Sequence, residues 1–407
     1  MKFKKGIKFA ALGIAAVTIA PVMAACGGSG GGDSTTAATT AATTTAASTT
    51  AATTSAAGTT TASGGSSGGT KTITDNTGRT VEVPEKVNSV IGLNNGLRYL
   101  CYLGCADKVV GVEQGEIETD KEKINVVKAY GHTYKDTWQD KPIVGEGGSG
   151  GYTPYEEEII NCAPDVIIAG YSKEDAESLQ TKTGIPVVAI NSGTLFGDDY
   201  DESLEVIGEV MGVEDRADAI IDFIDDVKDD MEKRTKDVPD ADKPTVYTGA
   251  VSFKGGHGIE GTYSNFPIFT VMNANDVCKG MSDNVGGVTI DKEKVLDWNP
   301  DIIFLDPNNK SYVKEDYDAN PDYYKQLKAF ENGDVYTCIG YNWYHTNIEV
   351  ALADTYYVAS ILYPEQFKDV DPIAKAKEIF KFFLDNDKYY DDLEAAGMGF
   401  GKIDITK

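Results

Sequence analysis

The sequence predicts an α/β protein of two lobes with mainly parallel sheets, joined by one long α-helix. Three observations carry that expectation. Short apolar runs alternate with amphipathic segments, the pattern of a parallel sheet covered on both faces. The alternation stops near residue 213 and restarts near residue 241. Between the two series lies Glu214–Val238, where Ala217, Ile220, Ile221, Ile224, Val227 and Met231 recur at spacings of three and four. That spacing marks one apolar helix face, uninterrupted by Gly or Pro before Pro239.

In chain order, a basic start carrying Lys2, Lys4, Lys5 and Lys8 precedes an apolar run from Phe9 to Ala20 and then Met23-Ala24-Ala25-Cys26. A basic segment, a short apolar segment and small residues before a cut form a secretory leader, here residues 1–25. The run is too short for a membrane span, which needs roughly 20 apolar residues. Residues 26–70 are almost wholly Gly, Ser, Thr and Ala, with Asp33 the only charge. Such a segment buries too little apolar surface to offset chain entropy and is expected to be a disordered tether. Its ends would lie about 35–40 Å apart on average.

The N-terminal lobe, 71–213, opens with a hairpin over Ile73–Val83, for which Asp75-Asn76-Thr77-Gly78 supplies the turn chemistry. Strands are then expected at Ser89–Leu93, Lys108–Val112, Pro142–Val144, Asp165–Ala169 and Pro186–Ile190. Helices are expected at Gly96–Leu103, Tyr155–Cys162 and Ala176–Thr183. The connecting helix occupies 214–240, a rod of about 36 Å. The C-terminal lobe, 241–407, repeats the pattern with strands at Thr245–Val251, Gly287–Ile290, Asp301–Leu305 and Asp334–Cys338. Its helices include Asn265–Met272 and Thr346–Leu362.

With 37 basic and 64 acidic side chains the net charge is −27. That balance argues against nucleic-acid binding, which needs basic patches. Besides Cys26, the cysteines Cys101, Cys105, Cys162, Cys278 and Cys338 show no CxxC pair and no zinc spacing, and read as buried small hydrophobes. There is no GxSxG elbow, no HExxH and no P-loop lysine, so the chain does not read as an enzyme. An internal echo links the lobes. Glu157 stands seven residues before Pro164-Asp165-Val166-Ile167-Ile168, and Glu293 seven before Pro300-Asp301-Ile302-Ile303-Phe304.

These residues carry a resemblance. Met23-Ala24-Ala25-Cys26 resembles the bacterial lipobox, which implies a lipid on the Cys26 thiol and an extracellular, membrane-anchored protein. The hairpin with Gly78-Arg79-Thr80-Val81-Glu82-Val83-Pro84, the passage Leu103-Gly104-Cys105-Ala106-Asp107-Lys108, the two Pro-Asp strands and Leu362-Tyr363-Pro364-Glu365-Gln366-Phe367 are similar to ABC-importer substrate-binding lipoproteins for ferric siderophores, haem and cobalamin. One departure is Ser89, where many members have Arg. The resemblance covers residues 71–407 and implies a monomeric binder with a ligand cleft between the lobes and little closure motion, partnered by an ABC permease and its ATPase. It also implies that Glu157 and Glu293 contact the permease, one from each lobe.

Ligands of open α/β lobes bind beyond the carboxyl ends of the strands. The loops there offer Asn94, Asn95, Tyr152 and Tyr171 from the first lobe. The second offers Lys254, His257, Tyr263, Tyr341, Trp343, Tyr344 and His345. Aromatic surfaces with a polar rim suit a bulky metal chelate, foremost an iron complex, with a corrinoid or haem as alternatives. The chain itself needs no resident cofactor. No bare-metal site is assigned, although His257 could reach the metal of a chelate as an axial ligand, and His132 lies in a polar insert. Thr346 and Glu349 are placed to open a helix as a capping box.

Overall fold

The computed structural model describes residues 69–117, 128–147, 152–282, 286–342 and 346–406. All belong to one compact unit, Gly64–Lys407. The leader, Cys26 and the tether to residue 68 lie outside the described residues, as do Trp343, Tyr344 and His345.

Strands β1 (Thr70–Thr74) and β2 (Thr80–Pro84) pair antiparallel and bury Ile73, Val81 and Val83. Their turn uses Gly78 at φ +78°, a left-handed conformation that side chains resist. Asp75 accepts the N–H groups of Thr77 and Arg79, each at 3.0 Å, and with its other oxygen that of Ala189 at 3.2 Å. One carboxylate thus shapes the turn and pins the hairpin to the first lobe.

That lobe continues through β3 (Val90–Leu93), α1 (Gly96–Tyr102), β4 (Val109–Glu113), α2 (Ala129–Trp138), β5 (Ile143–Glu146) and β6 (Thr153–Pro154). It ends with α3 (Glu156–Cys162), β7 (Val166–Ala169), α4 (Lys173–Thr183), β8 (Val187–Ala189) and α5 (Asp198–Met211). Its sheet runs β6-β5-β4-β3-β7-β8, parallel except for β6. The segment read as a polar insert is helix α2. Its Tyr130 is buried and donates to Glu116 at 2.8 Å, while Lys128 pairs with the other Glu116 oxygen at 3.2 Å.

Helix α6 (Glu214–Thr235) is unbroken for 22 residues. Ala217, Ile220, Ile224, Val227 and Met231 are buried along it and Ile221 is half-buried. The second lobe comprises β9 (Thr245–Gly249), β10 (Gly261–Tyr263), α7 (Pro267–Val271), β11 (Asn275–Asp276), β12 (Gly287–Thr289), α8 (Lys292–Trp298) and β13 (Ile302–Leu305). After these come α9 (Lys310–Ala319), α10 (Pro321–Tyr324), α11 (Lys328–Asn332), β14 (Val335–Thr337), α12 (Ile348–Leu362), α13 (Pro372–Leu384), α14 (Tyr389–Ala395) and β15 (Gly401–Lys402). Its sheet runs β11-β9-β13-β14-β15, parallel except for β15. The run at Gly287–Ile290, expected in this sheet, instead pairs with β10 in a separate two-stranded ribbon, and the short β11 takes the edge.

The two sheets share one topology, β4-β3-β7-β8 matching β11-β9-β13-β14, and the Pro-Asp echo is its local mark. Helices α3 and α8 are each seven residues long and end left-handed, at Ala163 (φ +47°) and Asn299 (φ +42°). Asp165 then accepts the Ser89 N–H at 3.0 Å, and Asp301 accepts the Thr245 N–H at 2.7 Å. Each aspartate holds the entry of its lobe's first strand. Ser89 returns a bond through its hydroxyl to the Asp165 N–H, as Thr245 does to Asp301. Ser89 therefore has a packing role matched in the other lobe.

The rod is not the only connection. Helix α13 packs against α1 and α2, so a segment of the second half covers the first lobe. Tyr102 meets Phe383 edge-on at 5.3 Å, and His132 reaches Asp392 at 3.1 Å. Arg216 of α6 donates to the Tyr102 carbonyl at 2.9 Å and to that of Phe382 at 2.6 Å, its guanidinium over the Phe382 ring. Glu349 forms no capping box. It is fully buried in α12 and accepts the Tyr102 hydroxyl across the lobes. All five described cysteines are free thiols; Cys101, Cys105 and Cys278 are buried, Cys162 and Cys338 half-buried.

Candidate functional site

In this strand order the first and third strands of each lobe send their connections to opposite sides, leaving a crevice at their carboxyl ends. The first residue past the first strand is left-handed in both lobes, Asn94 at φ +56° and Ala250 at φ +59°. Non-glycine residues pay about 1–3 kcal/mol for such backbone, and it clusters where ligands are held.

In the first lobe Asn94 donates its N–H to Glu113 and its amide to the Gly170 carbonyl, both at 2.9 Å. Asn95 is fully buried and donates to the Asn191 carbonyl at 2.9 Å. A side chain at position 170 would displace Asn95, since its Cβ would fall 1.9 Å from Asn95 Oδ1. Asn95 therefore ties together the loops that follow β3, β7 and β8. Tyr152 and Tyr171 stack with centroids 4.2 Å apart, Tyr152 donating to Asp175 at 2.8 Å. The Tyr171 hydroxyl is buried with no partner, and burial pushes its pKa upward.

In the second lobe Asn309 donates to the Ala250 carbonyl at 2.7 Å and to Ser252 at 2.8 Å, and Ser252 donates to Asp306 at 3.2 Å. Lys254 is exposed on a left-handed backbone (φ +49°). His257 stacks on Phe253 at 3.9 Å, and its Nδ1 has no partner. Tyr263 is buried, stacks on Phe266 at 5.1 Å and accepts from Asn342 at 3.4 Å. Its phenol is pushed up to about 12, chiefly by burial. The Tyr341 carbonyl takes both the N–H and the side-chain amide of Asn347, each at 2.9 Å. Asp354 accepts the Ile339 N–H at 2.9 Å from below. A cavity of about 30 Å³, the room of one water, lies between Thr248, Tyr263, Asp306, Tyr341 and Asp354.

Sequence reasoning places Asp306 in a strand-end loop, Asp306-Pro307-Asn308-Asn309, and misses Glu113 and Asp354. Glu113 is 1% exposed, and its pKa is pushed up to about 8, first by burial and then by Glu116, against the pull of the Asn94 N–H. Burial likewise raises Asp306 and Asp354. The available signal was a carboxylate ending an otherwise apolar run, Val109-Val110-Gly111-Val112-Glu113. A roomier concavity of about 640 Å³ lies between α9 and β15. Its Lys314 and Lys402 are already paired, with Asp318 and Asp334, so the paired strand ends remain the better candidate.

Glu157 and Glu293 each sit exposed in the first turn of their short helix, α3 and α8. Glu156 pairs with Lys182 at 2.9 Å, which distinguishes it from its neighbour Glu157.

Comparison with known proteins agrees with this architecture. The chain is 23% identical over 272 residues to the ABC transporter substrate-binding lipoprotein YvrC of Bacillus subtilis, covering 65% of this chain and 77% of that protein. Among solved structures, the molybdate periplasmic binding protein MolA of Haemophilus influenzae superposes with TM-score 0.60 at 20% identity, covering 78% of this chain and 98% of MolA. The TroA-like periplasmic binding protein FepB of Veillonella parvula gives TM-score 0.56 at 24% identity, covering 77% and 96%. The family model described as periplasmic binding protein matches residues 97–340, more than half of the chain. Two lobes of one topology, equivalent strand-end loops and this match together make the chain a member of the periplasmic binding protein family.

Proposed function

We propose that the protein is an extracellular, lipid-anchored solute receptor that captures a metal chelate, foremost a ferric siderophore or related iron complex, and delivers it to an ABC permease with its ATPase. The observation that carries this reading is the pairing of equivalent strand-end half-sites. Each has a left-handed residue at its centre and stacked aromatics at its side, Tyr152 on Tyr171 and Tyr263 on Phe266. Flat rings with polar edges suit the curved, partly apolar surface of a chelate better than a single small ion. Cys26 would carry the lipid, Glu157 and Glu293 would meet the permease, and the receptor would act as a monomer. A corrinoid or haem is the second reading, favoured by His257, whose Nδ1 is unpartnered on a ring braced by Phe253.

Native mass spectrometry of the untreated protein, followed by titration with ferric hydroxamate, ferric catecholate, haem and cobalamin, tests the proposal. A bound iron complex is the expected outcome. Binding of haem or cobalamin alone would promote the second reading, and failure of every metal complex would overturn both.

A further inference from the structure

We propose that the cleft selects a ligand presenting positive charge or a face of N–H and O–H donors, and rejects oxyanions and polyanionic chelates. This rests on the functional reading above and adds the charge class of its ligand. The geometry behind it is a set of carboxylates at the strand ends with no cation set against them among the described residues. Glu113, at the carboxyl end of β4, is 1% exposed and receives only the Asn94 N–H among its described contacts. Its neighbour Glu116 differs, being matched by Lys128 and Tyr130.

In the second lobe, past its own strand ends, Asp306 receives the Asn308 N–H and amide and the Ser252 hydroxyl, all neutral donors. Beneath it Asp354, fully buried, has one oxygen on the Ile339 N–H and the other without a partner, at the 30 Å³ cavity. The Tyr171 hydroxyl is a further buried group awaiting a partner. Lys254 is the cation among the described candidate residues, and it is exposed.

A buried carboxylate without a counter-charge is unfavourable unless it is protonated or a partner arrives. A cationic or donor-rich ligand supplies that partner when the cleft dehydrates. An oxyanion offers no such partner: it either holds these carboxyls protonated or, where they are ionised, sets like charges together in a low dielectric. The raised pKa values of Glu113 and Asp306 agree with carboxylates awaiting compensation.

The test is equilibrium binding by the full chain of three ferric complexes: a cationic trihydroxamate, a neutral trihydroxamate and a trianionic tris-catecholate, with molybdate as a fourth probe. The cationic and neutral complexes should bind at least about tenfold more tightly than either anion. Glu113→Gln and Asp306→Asn, both nearly isosteric, should each narrow that gap by weakening the cationic complex, with melting temperatures showing that both fold. Tighter binding of the catecholate or molybdate, or an unchanged ranking in both variants, would overturn the charge inference and leave the receptor reading standing. If no ferric complex binds, spermidine against citrate separates the two ideas. Preference for spermidine keeps the charge inference while the chelate reading falls, and no preference overturns both.

Discussion

Glu349 shows how one buried side chain couples the lobes to pH. Burial, partly opposed by the Tyr102 hydrogen bond and by Arg98, lifts its carboxyl from 4.5 to about 7. The folded state therefore holds more protons than the unfolded state between those values. The stability this group contributes is complete below about 4.5 and is lost as pH rises through about 7. Glu349→Gln keeps the shape and removes the charge. Urea unfolding across pH 5–8 should show a flatter profile for the variant, with a gain on the order of 2–3 kcal/mol at the alkaline end. Glu113, titrating near 8, remains and leaves a residual slope. An unchanged profile would mean that Glu349 is neutralised in some other way. At this scale the sequence was least informative. Thr346 and Glu349 have the spacing of a capping box, and nothing local reveals that a tyrosine 247 residues earlier takes the carboxylate instead.

At the scale of elements, the repeated helix–Pro–Asp–strand unit makes a quantitative claim. Asp165 and Asp301 do matching work at the entry of their lobe's leading strand, taking the Ser89 and Thr245 N–H groups, with an added Asn88 N–H on Asp165 and an added Lys328 pair at 2.7 Å on Asp301. Removing either leaves that N–H short of its partner at a partly buried site, which costs about 1–3 kcal/mol. Asp165→Ala and Asp301→Ala should therefore destabilise by similar amounts in urea titrations. Thr245→Val should cost less, since it deletes one hydroxyl and keeps the carboxylate bond. A large disparity between the two aspartate variants would deny the equivalence of the halves. This unit was legible in the sequence because its signals are local: a short helix, a proline that stops it and an aspartate that opens the next strand; the distant strand entry that the aspartate ties down, 76 residues away for Asp165 and 56 for Asp301, was not. The α6 rod was legible for the same reason, through periodicity. The covering of the first lobe by α13 was not, because its apolar stripe fits any neighbour and only the closed tertiary structure selects α1 and α2. The edge strands β6, β11 and β15 were missed because two residues carry no periodicity.

For the whole molecule, the spacing of the lobes is held three ways: by α6, by Arg216 bonded to carbonyls of both halves, and by α13 lying across the first lobe. A partner that contacts both lobes at once can then read their separation as a fixed distance. Glu157 and Glu293 are proposed for that contact. They occupy equivalent first-turn positions, and both are exposed. Exposed rim charges govern encounter and register with a partner while leaving a distant pocket untouched. The double variant Glu157→Lys/Glu293→Lys should therefore lose ligand uptake in cells while its ligand dissociation constant stays within about twofold of the parent. Each single reversal should give intermediate uptake. Glu156→Lys is the control, since Glu156 is engaged by Lys182 and that reversal should leave uptake close to the parent level. Full uptake by the double variant would remove these two carboxylates from the docking surface. Loss of ligand affinity alongside uptake would show that the reversals disturb the cleft and leave the docking assignment unsupported.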